Sequence, residues 1–180
     1  GDVGLIAGGS LDQASSGDIT TGGDVLLEAG SDWTMSSGTE ITATGNVDGH
    51  ALSGDLTLGL IDATNIALTA GGSIVDANSS LINITAVNLS LVAGGGLIGS
   101  ADALNGIPGQ NVNAIDISVA TLAANAESGI YLSEADALTI TTVAAVTVNI
   151  GSVLRVNFNS TTSSVGQSRG TSSLEDLSTD

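Results

Sequence analysis

The 180-residue chain contains no cysteine and no lysine, and it has one proline, one tryptophan, one tyrosine, one phenylalanine and one methionine. Without cysteine there are neither disulfides nor thiolate metal sites. With so few aromatic residues, the interior must be filled by Leu, Ile, Val and Ala. That suits thin stacked layers better than a β-sandwich, which places large aromatics between its sheets. Arg155 and Arg169 face 19 carboxylates, for a formal net charge of −17. A chain this acidic repels nucleic acid and anionic membrane surfaces. No apolar run reaches the length of a bilayer span, so membrane insertion is not expected. No signal peptide opens the sequence. Gly1-Asp2-Val3 already reads as part of a repeat, as in a fragment of something longer.

Glycine is abundant: 25 residues, about twice the usual share, without a three-residue period. The glycines punctuate a repeat. Ile66-Ala67-Leu68-Thr69-Ala70-Gly71-Gly72-Ser73-Ile74 echoes Val3 to Leu11, Val25 to Trp33 and Leu89 to Leu97. Counted from Ala7, Ala29, Ala70 and Ala93, apolar residues stand at minus four, minus two and plus four. These alanines are 22, 41 and 23 residues apart, and the middle gap fits two periods of about 20. Apolar residues alternate with a period of two inside each unit, which specifies strands.

A repeat of about 20–23 residues with short strands and glycine corners matches one turn of a parallel β-helix. The expected fold is therefore an all-β solenoid over residues 1–159. Seven to eight coils, about 4.8 Å apart, would give a rod of roughly 35–40 Å. Residues 160–180, rich in Ser, Thr and acids, read as a tail or linker. Val146, Val148, Ile150, Val153, Val156 and Phe158 are expected to supply the last strands. Ala101 to Gln110, with Gly106, Pro108 and Gly109, breaks the period and reads as a protruding loop, the segment most suited to touching a partner.

The polar residues offer few candidates for chemistry. Gly-Asp precedes an apolar residue at Asp2, Asp18, Asp24 and Asp55. Glycine there would supply unusual corner angles, and aspartate would bond the backbone of the turn. Calcium ligation by these aspartates is the alternative, but the calcium-binding nonapeptide pattern is not matched in tandem. Asp48 and the sole histidine, His50, would share one strand face, yet the glycine-rich, degenerate unit at 45–64 reads as an exposed loop there. Glu134 and Asp136 are the nearest approach to a paired-carboxylate site, and a solvated edge is the preferred reading. Asn78, Asn83, Asn88 and Asn159 head Asn-x-Ser/Thr triplets; inward asparagines bonding neighbouring turns are preferred to glycan acceptors. No catalytic, cofactor-binding or metal-ligating residue is assigned.

The repeated Leu-x-Ala-Gly-Gly-Ser-Ile, with Gly95 to Leu104 and Ser128 to Asp136, resembles repeats of very large secreted bacterial exoproteins of the filamentous haemagglutinin group. The resemblance covers residues 1–158. It implies a right-handed coil, secretion to the cell surface, and adhesion to a receptor, glycan or matrix. The function expected is a non-enzymatic structural or adhesive shaft. The alternative is a filament or matrix protein that self-associates end to end, stiffened by calcium. A carbohydrate-active β-helix enzyme is the remaining reading, poorly served by two arginines and no aromatic sugar platform.

Overall fold

In the computed structural model, residues 1–100, 113–156 and 162–179 are described. They form strands and turns, with no helix among them. The chain winds as a parallel β-solenoid with three faces. The first face stacks β1 (Val3–Ala7), β4 (Val25–Ala29), β7 (Asn46–Ala51), β10 (Asn65–Ala70) and the second halves of β12 (Ile84–Ala93) and β14 (Ile115–Ala126). The second face stacks β2 (Leu11–Gln13), β5 (Trp33–Met35), β8 (Leu56–Leu58), β11 (Ile74–Asp76), β13 (Leu97–Ile98) and β15 (Gly129–Ile130). The third comprises β3 (Ile19–Thr21), β6 (Glu40–Ala43), β9 (Leu60–Asp62), the first halves of β12 and β14, and β16 (Leu132–Glu134).

Register explains the sequence repeat. Val3, Val25, Val47, Ile66, Leu89 and Leu122 form one vertical column. Ala7, Ala29, Ala51, Ala70, Ala93 and Ala126 form another, so Ala51 is the residue that divides the long gap between Ala29 and Ala70. On the third face Ile19, Ile41, Ile61, Ile84 and Ile117 stack, and Glu134 ends the column. These aliphatics make one continuous core around Trp33 and Met35, which are fully buried.

Aspartates at the corners join one coil to the next. The Oδ1 atoms of Asp2, Asp24 and Asp18 accept the N–H groups of Asp24, Asn46 and Glu40, each 22 residues later, at 2.9–3.1 Å. Asp55 accepts from Ser73 N–H at 2.7 Å. At three of these four contacts a glycine precedes the donating residue and is needed for close approach. A Cβ on Gly23, Gly45 or Gly72 would stand 2.2 Å from the carboxylate oxygen of the preceding coil. This corrects the corner-angle expectation: the positive-φ glycines among the described residues are Gly38, Gly99 and Gly129.

The solenoid makes about six turns, against the seven or eight coils expected. Two features shorten the stack. Leu89 and Leu122 are register neighbours although 33 residues apart, so one coil contains the insertion. The chain then leaves the solenoid after β17 (Thr139–Ile140) and forms an antiparallel hairpin, β18 (Thr147–Val156) with β19 (Thr162–Gly170). It returns as β20 (Leu177–Thr179). β17 pairs with Thr121–Leu122 and β20 with Ala124–Ala126, so two distant segments complete one level. Val146, Val148 and Ile150 therefore do not build a further coil, and part of the segment read as a tail is strand.

Candidate functional site

Side chains alternate in and out along each strand. On the first face Gly4, Leu26, Asp48, Ala67 and Ser90 share an outward column, adjacent to the inward column Leu5, Leu27, Gly49, Leu68 and Leu91. Outward residues of an acidic solenoid are expected to meet water, yet Leu26, Asp48 and Ala67 are almost wholly buried. The β18–β19 hairpin covers them. Val146, Val148 and Ile150 pack with Leu26 and Ala67 in a second apolar cluster, separate from the solenoid core.

The hairpin register sets Arg169 opposite Val148, which puts both on the side facing the wall. Arg169 Nε donates to Asp48 Oδ2 at 2.7 Å, and Nη1 donates to Glu28 Oε2. Nη2 lies 3.4 Å from the Leu27 carbonyl oxygen. His50 Nε2 stands 3.0 Å from Asp48 Oδ1, at ion-pair distance but outside hydrogen-bond alignment. Burial pushes the Asp48 carboxyl up, but polar contacts with His50 and Arg169 outweigh it and hold the group below its ordinary value. Asn46 Nδ2 donates to the Thr147 carbonyl at 3.0 Å, and Asp24 Oδ2 accepts from Asn149 N–H at 3.3 Å.

Asp48 and His50 do share one face, as their spacing requires, but the exposed-loop reading of that segment is corrected. Residues 46–51 are strand, and Asp48 has 0% exposure. Gly49, which suggested a turn, occupies an inward position beside Trp33. Arg169 is not among the residues that the sequence marks for chemistry, because it lies in the segment that reads as a tail. A signal was present nonetheless: a cation in a chain of −17, downstream of an alternating Val-x-Val-x-Ile stretch.

The other candidates lie apart from this cluster. Glu134 Oε1 accepts from the N–H groups of Val119 and Asp136, and Ser118 Oγ donates to Asp136 Oδ2 at 3.4 Å. These contacts hold the pair to the rim of the last coil. Asn83 is fully buried; its amide donates to Leu58 O, Gly59 O and Asp76 Oδ1, and its oxygen accepts from Asp116 N–H. Asn78 and Asn88 also bond other turns, to Gly38 and Asn65. The loop Ala101 to Gln110 and Asn159 lie outside the described residues.

Two surface features complete the picture. Asn46, Asn65 and Asn88 form an amide ladder with Nδ2–Oδ1 distances of 2.7–2.8 Å. It floors an uncharged groove of about 400 Å³, whose other residues include Thr121, Thr141 and Thr142. At the β1–β3 end, Leu5, Leu11 and Ile19 line an apolar mouth of about 330 Å³, and Leu5 is 43% exposed. Among the described residues, no three His, Asp or Glu side chains converge as a metal cluster. No protein-family model, curated protein or solved structure matches this chain.

Proposed function

We propose that this chain is a non-enzymatic structural and adhesive shaft of a large secreted or cell-surface bacterial protein. The observation that carries the reading is the bracing of successive coils: aspartates and asparagines at the corners are bonded to the next coil. A solenoid built this way transmits its stiffness through nearest-neighbour contacts. It leaves the outward surface beyond the hairpin available for display. The repeats that resemble filamentous haemagglutinins support secretion and adhesion, and the uncharged amide groove offers hydroxyl-rich glycans a row of donors and acceptors.

The test is to immobilise the protein and present it with matrix proteins and an array of neutral and acidic glycans. Saturable binding without turnover supports the adhesive shaft. Release of reducing ends from a polysaccharide would instead establish an enzyme.

A second reading, the end-to-end filament, draws support from the apolar mouth at β1–β3. A stacked copy would bury Leu5 and pair the outer strand edges. Electron microscopy with and without a calcium chelator separates the readings. Long rods favour the filament, chelator-sensitive rods the calcium-stiffened form, and single short particles the isolated shaft.

A further inference from the structure

The β18–β19 hairpin forms its own sheet, separate from the two sheets of the solenoid. A two-stranded hairpin is marginal in water unless one of its faces is covered. Here the solenoid wall provides that cover, and side chains make the attachment. Leu26 and Ala67 on the wall meet Val146, Val148 and Ile150. Two polar contacts, Asn46 to Thr147 and Asp24 to Asn149, flank them. Arg169 closes onto Asp48 and Glu28.

We propose that this hairpin is a strap that leaves the wall as a unit while the coils stay folded, with Arg169 as its lock. The inference concerns movement within the chain and does not depend on the adhesive reading. Asp48 is wholly buried with the strap in place. A buried carboxylate is tolerated when it is paired and is strongly destabilising when its partner is removed. Arg169 and Asp48 are therefore stable buried together or hydrated apart, and a half-lifted strap combines the disadvantages of both. This makes the strap an element with two discrete positions.

The charged and titratable groups around the lock come from three strands. Arg169 is on β19, Asp48 and His50 are on β7, and Glu28 is on β4. Ala67 on β10, Val146 just before β18, and Val148 and Ile150 on β18 pack beside them, and none of these titrates. Asp24 meets β18 through the Asn149 N–H. Lifting the strap uncovers Leu26 and Ala67 on either side of Asp48, an apolar strip with an acidic centre.

The composition supplies a direct assay. The chain has no lysine and two arginines. In an Arg155→Gln background, trypsin has one site, after Arg169. Cleavage there requires Arg169 to leave its carboxylates, so its rate reports strap opening when reclosing is fast. The variants are Asp48→Asn, which removes the charge at the lock, and Val148→Ser, which weakens the apolar contact and keeps the ions. Each is expected to raise the cleavage rate about tenfold or more. Deuterium exchange in β4, β7 and β10 is expected to stay at the parent's level. Acceleration in Asp48→Asn with coil protection unchanged supports the strap and its lock, and acceleration in Val148→Ser alone overturns the lock. No acceleration in both, or acceleration matched by equal loss of protection in the coils, overturns the strap.

Discussion

Trp33 fills the space that a side chain on Gly49 would need: a Cβ on Gly49 would lie 2.3 Å from Trp33 Cζ3 and 2.9 Å from Leu68 Cδ2. The indole comes from the second face of one coil and the glycine from the first face of the next. Their fit lets a single large aromatic sit in a core built for aliphatics. Gly49→Ala is expected to cost about 1–3 kcal/mol by overpacking. Trp33→Leu alone leaves a void and also destabilises. In the double variant the two costs are expected to offset in part. Chemical denaturation of all four chains measures the coupling, and strict additivity would show that the contact is not what excludes a side chain at 49.

The corner braces give a second coupling. Asp55 Oδ1 accepts from Ser73 N–H, and a Cβ on Gly72 would sit 2.2 Å from that oxygen, with its next contacts at 3.2 Å. Asp55→Ala is expected to cost about 1 kcal/mol for the lost bond. Gly72→Ala is expected to be destabilising with Asp55 present and much milder in the Asp55→Ala chain. Equal cost of Gly72→Ala in both backgrounds, measured by urea denaturation, would count against the brace.

Acid is expected to release the hairpin. The ordinary carboxyl value for Asp48 is 3.8, and its value with the hairpin docked is lower. A group depressed in this way contributes stability above its ordinary value and loses it as pH falls through the docked value. Deuterium exchange of β18, corrected for intrinsic rates, is expected to rise below about pH 3.8 while the coils remain protected. The acid step should be much smaller in Asp48→Asn, where that carboxyl no longer titrates. A full-sized step in that variant would assign it to other groups.

Asp116 has the opposite sign. Burial lifts its carboxyl and the Asp76 charge adds to the rise, against a hydrogen bond from Ser133. A carboxyl raised by folding destabilises the fold when ionised, and the penalty disappears as pH falls through the raised value. Asp116→Asn is expected to raise the thermal midpoint at pH 7 and leave it unchanged at pH 3. A lower midpoint at pH 7 would show that the carboxylate's bond to Ser133 outweighs the gain.

The all-β solenoid and its alanine register were legible in the sequence because every coil presents the same inward positions at nearly the same spacing. Local alternation is enough to specify strands, and repetition is enough to stack them. The missing unit between Ala29 and Ala70 was legible as a gap of two periods, though its strand was hidden by Gly49 and His50. Glycine reads as a turn unless one knows that an indole from the preceding coil occupies the adjacent space.

The side site was legible only in fragments. Alternation identified Val146, Val148 and Ile150 as one face of a strand, but it carries no information about which surface that face will cover. Arg169 meets Asp48 across 121 residues and Glu28 across 141. No local pattern encodes such a pairing. The sequence by itself determined the coil, its period and its aliphatic interior, since these follow from short-range alternation repeated along the chain. The tertiary structure alone decided that the last long strands turn back along the outer wall. There, an apolar strip and a buried carboxylate are stabilised by the hairpin and guanidinium that cover them.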